Sequence, residues 1–254
     1  MELLIVDPQN DFCDLPASAL PVAGATADLD RLAGLIRRHA ERFDGITLTL
    51  DSHHAYDIAH PAYWRNALGE QPLHTPISRE DVERGVWMTA DPARRETALA
   101  YLARASLYVW PPHCLVGTWG HGIYEPLAAA LREWECRRLR ATDVLFKGLN
   151  PDTEHFSAFE ADVPLDADPA TRFDRRRVAR LAEAECVVVA GEALSHCVAS
   201  SVRSLVRHLG PSFAGRLVIL TDCASPVPGF EDLARGFLEE MTRLGARLAS
   251  SDSL

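Results

Sequence analysis

Cys186-Val187-Val188-Val189-Ala190-Gly191-Glu192-Ala193-Leu194-Ser195-His196-Cys197-Val198 reads as a buried strand that stops at a glycine and turns into a helix running to His208. Five apolar residues in succession suit a parallel strand covered on both faces. The step from such a strand into a helix is where open α/β sheets keep their ligand sites. Cys197 stands at that step, at a helix N-terminus whose partial positive charge favours a thiolate. A small buried hydrophobe is the competing reading of any free cysteine, and position alone does not choose between the two.

The same unit recurs outward from this stretch. Leu3-Leu4-Ile5-Val6 ends in Asp7, and Ile46-Thr47-Leu48-Thr49-Leu50 ends in Asp51. Between them, Ala27 to Phe43 places Leu29, Leu32, Leu35, Ile36 and Phe43 on one helical face. Leu107-Tyr108-Val109, Asp143-Val144-Leu145-Phe146 (ending at Lys147-Gly148) and Leu217-Val218-Ile219-Leu220 supply three more strands. Helices are expected from Asp91-Pro92 to about Arg104, and over Ile123 to Arg138, Val178 to Ala184 and Phe230 to Leu244. About six strands alternating with helices predict one α/β domain over residues 1–254, a doubly wound, mainly parallel sheet with helices on both faces. Residues 55–88, rich in Pro, His and Trp, read as an excursion from that domain; the polar stretch 152–175 reads as an inserted lid or a partner contact.

A formal net charge of −10 over 254 residues predicts neither nucleic acid nor an anionic membrane as a main partner. Six cysteines without a CxxC pair exclude a zinc ribbon and a thioredoxin-like motif, and they are too sparse for a secreted disulfide framework. No basic segment precedes the first strand and no apolar run approaches membrane-spanning length, so the expected location is the cytoplasm.

Asp7, Lys147 and Cys197 all fall at strand ends. Right-handed crossovers bring the C-terminal ends of parallel strands onto one edge of the sheet, so the three can share a cleft. A cysteine nucleophile needs a lowered pKa and a proton shuttle; Lys147 would supply positive charge and Asp7 would carry the proton. Taken singly, each has a competing reading: Asp7 as a turn acceptor only, Lys147 as a snorkelling surface residue only. A second group is Asp51-Ser52-His53-His54, with His113 in Trp110-Pro111-Pro112-His113-Cys114. One carboxylate and two imidazoles suit Zn²⁺, Fe²⁺ or Mn²⁺. Spacing alone leaves His54 and His60 as rival ligands.

Val6-Asp7-Pro8-Gln9-Asn10-Asp11-Phe12-Cys13, with Ala19-Leu20-Pro21-Val22-Ala23-Gly24-Ala25 after it, resembles the opening of bacterial nicotinamidases, members of the isochorismatase-like cysteine hydrolase superfamily. Thr49-Leu50-Asp51-Ser52-His53 resembles that family's metal motif, and Trp110 to Cys114 its W-P-x-H-C segment. Phe146-Lys147-Gly148 with Ser157-Ala158-Phe159 resembles the catalytic-lysine region, and Gly191 to Val198 the nucleophile segment. The five motifs stand in family order from Leu3 to about Cys223. The resemblance implies a catalytic triad of Asp7, Lys147 and Cys197 and one divalent metal, foremost zinc, held by Asp51, His53 and His113. It prefers His53 to His54 and His113 to His60. It also implies an aromatic clamp of Phe12 and Trp110, a cis peptide bond at Glu192-Ala193, and an oxyanion hole from the N–H groups of Ala193 and Cys197.

The expected reaction is hydrolysis of nicotinamide, a small-molecule amide, to nicotinate and ammonia in NAD salvage. Ser52, His54, Glu192, Leu194 and Ser195 depart from the family's usual residues, and the two irregular segments lie where they can reshape the pocket mouth. These departures touch the substrate more than the reaction, so an amidase for another carboxamide or carbamoyl group is the first alternative. A non-catalytic binding protein on the same scaffold is the second; a thiol redox protein is disfavoured by the lack of a resolving cysteine near Cys197. Homo-oligomerisation through the excursion or the insertion is left open.

Overall fold

A computed structural model describes all 254 residues. Its centre is a six-stranded, wholly parallel sheet built from β1 (Glu2–Val6), β2 (Gly45–Asp51), β3 (Asp143–Lys147), β4 (Val187–Gly191), β5 (Leu217–Leu220) and β6 (Arg247–Ala249), in the spatial order β6-β5-β4-β1-β2-β3. Strand side chains alternate between faces. Leu3 and Ile5 therefore join Leu29, Leu32 and Trp134 on one side, under α1 (Ala25–Arg38) and α2 (Glu125–Arg138). Leu4 and Val6 face the other side, under α3 (Ala199–Leu209), α4 (Glu231–Arg243) and the short helix Ala179–Glu183. This is the expected doubly wound α/β sheet.

One strand assignment is corrected. Leu107–Val109 is not in the central sheet; it pairs antiparallel with Thr75–Ile77 in a separate ribbon. Its alternate residues Leu107 and Val109 pack with Ile58, Trp64, Ile77 and Leu99 in a satellite core. The sixth central strand is Arg247–Ala249, where Arg247 and Leu248 are exposed. An edge strand of three residues carries no apolar run, so the sequence pattern passes over it.

The two irregular segments meet each other. Tyr63 Oη donates to Asp152 Oδ1 at 3.0 Å, Ile58 N–H to Pro151 O at 2.8 Å, and Val163 joins the satellite core. Much of their surface is thus spent inside the chain, where the sequence left open an interface between copies.

Chain order fixes where a ligand site falls. From β1 the chain builds β2 and β3 on one side, then returns to place β4 against β1 on the other. The crevice between β1 and β4 is the switch point at which open sheets bind ligands. Gly191, the last residue of β4, has φ +109° and lies against Val6; a Cβ there would meet the Val6 carbonyl oxygen at 2.1 Å. Only glycine lets the two strand ends close up at this point.

Candidate active site

Asp7 follows β1, Asp51 ends β2, Lys147 ends β3, and Cys197 lies on the π-type turn Leu194–Val198 between β4 and α3. All four are buried. Register places Asp51 directly beside Lys147. The Lys147 Nζ stands 3.0 Å from Asp7 Oδ2, 3.0 Å from Asp51 Oδ1 and 3.4 Å from Cys197 Sγ, and donates to the His155 carbonyl at 2.8 Å. The ammonium of one predicted catalytic residue therefore ties the other two to the predicted metal carboxylate. Burial opposes its charge, but Asp51 and Asp7 outweigh that and hold the Lys147 pKa well above its ordinary value.

The carboxylates answer differently to the same surroundings. Burial raises Asp7, with Lys147 pulling the other way. Thr49 Oγ1 donates to Asp7 Oδ1 at 2.5 Å and fixes the carboxyl's orientation. At Asp51, burial is outweighed by His53 and Lys147, which hold it well below the ordinary range. The Cys197 thiol is pushed up by burial, against the pull of Lys147, and its sulfur lies within 4.8 Å of an Asp7 carboxylate oxygen. This differs from the thiolate expected at a helix N-terminus. Desolvation at a fully buried sulfur outweighs a half-charge dipole, and the result is a thiol with a proton acceptor beside it.

The predicted metal ligands converge as well. His53 Nε2 lies 3.2 Å and His113 Nε2 3.6 Å from Asp51 Oδ2. Ligands about 2.0–2.1 Å from a tetrahedral zinc stand roughly 3.3 Å apart, so these donors fit a divalent ion. His53 Nε2 is buried and without a hydrogen-bond partner. Its other nitrogen is 3.1 Å from Asp57 Oδ2, and His113 Nδ1 is 2.8 Å from the Pro111 carbonyl. Both second contacts put the proton on Nδ1 and turn Nε2 to the ligand position. Burial works against charge on His53, but Asp51 and Asp57 raise its pKa well above the ordinary value; proton and metal compete for that nitrogen.

His54 is exposed and outside this group. His60 is not so easily set aside: it is buried, 3.3 Å from His113, and clusters with His53 and His113. Its Nδ1 lies 3.1 Å from the His54 carbonyl, which leaves its Nε2 a neutral lone pair, since burial and the two neighbouring histidines push its pKa down to about 2.

A cavity of about 30 Å³ adjoins these groups, lined by Phe12, Trp110, His113, Phe156, Ala193 and Cys197 among others. That is about the volume one water occupies in the liquid, so a ring enters only if the lining side chains turn aside. The Glu192-Ala193 peptide is cis, as the resemblance implies, and the Ala193 N–H donates to no protein acceptor.

Several contributing residues were not singled out from sequence. Asp57, Thr49 and the His155 carbonyl position others. Gln9 exchanges two hydrogen bonds with the Asp51 backbone, at 2.7 and 2.8 Å. Glu154, Phe156 and His196 line the cavity. Glu154 and Phe156 stand in an irregular segment after Lys147, where no helix or strand period marks them in advance.

No protein-family model matches this sequence, and no curated protein sequence matches it. Solved structures do. Yeast nicotinamidase superposes with a TM-score of 0.68 at 18% identity, over 98% of each chain. The Acinetobacter baumanii nicotinamidase/pyrazinamidase gives 0.68 at 21%, over 99% of this chain and 96% of that one. The pyrazinamidase of Pyrococcus horikoshii, solved in complex with zinc, gives 0.58 at 20%, over 98% of each.

The chain has the nicotinamidase fold.

Within the nicotinamidase fold, the departures seen in the sequence sort by position. Ser52 is buried away from the cavity, 2.9 Å from His121 Nε2. Glu192 also lies outside the lining, accepting from Ser225 N–H at 3.2 Å and paired with Asp28. Neither touches the pocket, which corrects the expectation that they retune it.

Glu192 has a different consequence. Burial and then Asp28 raise its pKa well above the ordinary 4.5, so the native state keeps a proton that the unfolded chain releases. Stability from such a group is complete below 4.5 and declines as pH rises from there toward the folded pKa. Glu192→Gln, with an uncharged amide of the same shape, is expected to raise the urea midpoint at pH above neutral and to match the wild type in acid. Equal midpoints across the pH range would show that Glu192 carries no such proton.

Proposed function

We propose that this chain is a metal-dependent cysteine amidase that converts nicotinamide to nicotinate and ammonia. The observation that carries the reading is the Lys147 ammonium, 3.0, 3.0 and 3.4 Å from Asp7, Asp51 and Cys197. A binding protein has no need of a nucleophile, a proton carrier and a buried cation in such contact. The solved structures of like fold include PnC1 from L. infantum in complex with nicotinate and yeast nicotinamidase bound to the inhibitor nicotinaldehyde, which supports the substrate class.

Cys197 Sγ attacks the carboxamide carbon as its proton passes to Asp7. The free Ala193 N–H, with that of Cys197, receives the oxyanion. The carbon–nitrogen bond then breaks, Asp7 returns the proton to the departing nitrogen, and ammonia leaves a thioester on Cys197. A water attacks that thioester, giving its proton to Asp7; the carbon–sulfur bond breaks, nicotinate leaves, and Asp7 reprotonates the sulfur. Lys147 holds the negative charge that moves between sulfur and carboxylate. Phe12 and Trp110 clamp the ring. Asp51, His53 and His113 would hold the divalent ion, zinc before iron or manganese, with His60 adjacent. Bound there, the ion supplies a Lewis-acid anchor for the pyridine nitrogen.

A role in NAD salvage follows from the reaction, and a reducing cytoplasm from six cysteines that are all unpaired. His113→Ala is expected to lower zinc content and to raise KM for nicotinamide on the order of ten-fold or more, as ligand-shell losses do. Metal analysis and steady-state kinetics check this; unchanged metal content and KM would remove His113 from the site.

A further inference from the structure

Ala193 lines the cavity with Cys197, and its N–H meets no protein acceptor. The residues on either side of it are both tied to Ser225. Glu192 Oε2 accepts the Ser225 N–H at 3.2 Å, and the Leu194 N–H donates to the Ser225 carbonyl at 2.8 Å. The Glu192 N–H donates to the Val6 carbonyl at 2.8 Å, which fastens the same turn to the end of β1. The Ala193 carbonyl is occupied too, accepting from His196 and Val198 at 3.0 and 3.2 Å. Every backbone or side-chain bond around the Ala193 N–H is thus made, and the N–H itself is left for a ligand.

Ser225 is anchored in turn from α1. Its Oγ donates to Asp28 Oδ2 at 2.5 Å, and Arg31 binds the other Asp28 oxygen and the Asp222 carbonyl. Asp28 is 3% exposed and Glu192 0%, so the connection from α1 to the turn runs through the interior. Glu192 stands where the family usually has another residue. Its Oε1 is buried and meets no donor. A buried polar atom without a partner is costly, and an apolar side chain would fill the space without that cost. What the carboxyl supplies instead is a bond of fixed direction, made from the residue whose peptide carries the Ala193 N–H.

We propose that Glu192, held through Ser225 to Asp28, is a positioning residue for the reaction: it fixes the Ala193 N–H at the place where the oxyanion forms. The proposal rests on the amidase reading and adds a residue to that same site. Glu192 lies outside the cavity lining and makes no bond to Asp51, His53 or His113. It therefore leaves the ring clamp and the metal ligands alone and acts where charge develops on the carbonyl oxygen, in the transition state. Loss of its bond falls on kcat and on kcat/KM equally, with KM unmoved.

The test measures kcat and KM for nicotinamide, metal content and the urea midpoint in the metal-loaded wild type, Glu192→Met, Glu192→Gln and Ser225→Ala. Glu192→Met fills the space without an acceptor for the Ser225 N–H. It is expected to lower kcat roughly ten- to hundred-fold, the scale of a donor displaced by about an ångström, with KM and metal content unchanged. Glu192→Gln keeps the acceptor oxygen and puts its NH₂ where Oε1 now meets no donor; it is expected to hold kcat within about two-fold of the wild type. Ser225→Ala cuts the link to Asp28 but leaves both backbone bonds, and is expected to lower kcat by a smaller factor, about three-fold. Wild-type kcat in Glu192→Met overturns the proposal, as does a loss that falls on KM or metal content, or one that Glu192→Gln shares; each leaves the amidase reading standing. If Glu192→Met does not fold, Ser225→Ala decides, and wild-type kcat in it overturns the proposal. No ammonia from nicotinamide with the wild type overturns the amidase reading and this proposal with it.

Discussion

Cys197→Ala is expected to lower ammonia release from nicotinamide by at least about 10⁴-fold, the scale on which loss of a covalent nucleophile acts. The fold should survive. Cys197 contributes one sulfur to the core beside Leu194 and Val198, and trimming it to a methyl costs about 1 kcal/mol of packing. Lys147 keeps its other partners, Asp7, Asp51 and the His155 carbonyl, so no charge is orphaned. Activity falling by orders of magnitude, with the unfolding midpoint lowered only by that small packing cost, is thus the signature of a nucleophile. Turnover within ten-fold of the wild type would remove Cys197 from the chemistry.

Lys147→Met should fail in both respects. The ammonium is the shared countercharge of two fully buried carboxylates, and a thioether of similar length fills its space without its charge. Breaking a buried ion pair by removing one partner costs about 3–5 kcal/mol, and here two acceptors lose the same donor. With the cation gone, Asp7 rises further above its unfolded value of 3.8, and Asp51 loses one of the charges that hold it below that value. The variant's deficit, read by urea unfolding in chelator, should therefore be largest at neutral pH and shrink as pH falls toward that value. A uniform deficit across pH would mean that Lys147 acts by packing alone, and no deficit would mean that the buried charges are compensated elsewhere.

Much of the sheet is legible in the chain because its central strands are covered on both faces. Leu3–Val6 and Val187–Ala190 read as uninterrupted apolar runs for that reason, and the chemistry-bearing residues stop at their ends. Arg247–Ala249 was missed because an edge strand has only one neighbour and can carry exposed arginine and leucine. Leu107–Val109 was misplaced because a short apolar alternation looks the same in a satellite ribbon as in a central sheet. At the site, Asp7, Lys147 and Cys197 could be grouped in advance because topology brings strand ends together. Asp57, Thr49 and Gln9 could not, since they act by holding another residue's atom, and nothing in their spacing announces that. The choice of His113 over His60 came from the resemblance, and the geometry keeps both beside the ligand position.

The most direct test of the central claim is ammonia release from nicotinamide by the purified protein, measured with and without chelator. The amidase reading predicts one ammonia and one nicotinate per nicotinamide consumed, loss of turnover in chelator, and its return when zinc, iron or manganese is added back. No ammonia above the Cys197→Ala background from the metal-loaded protein would contradict it.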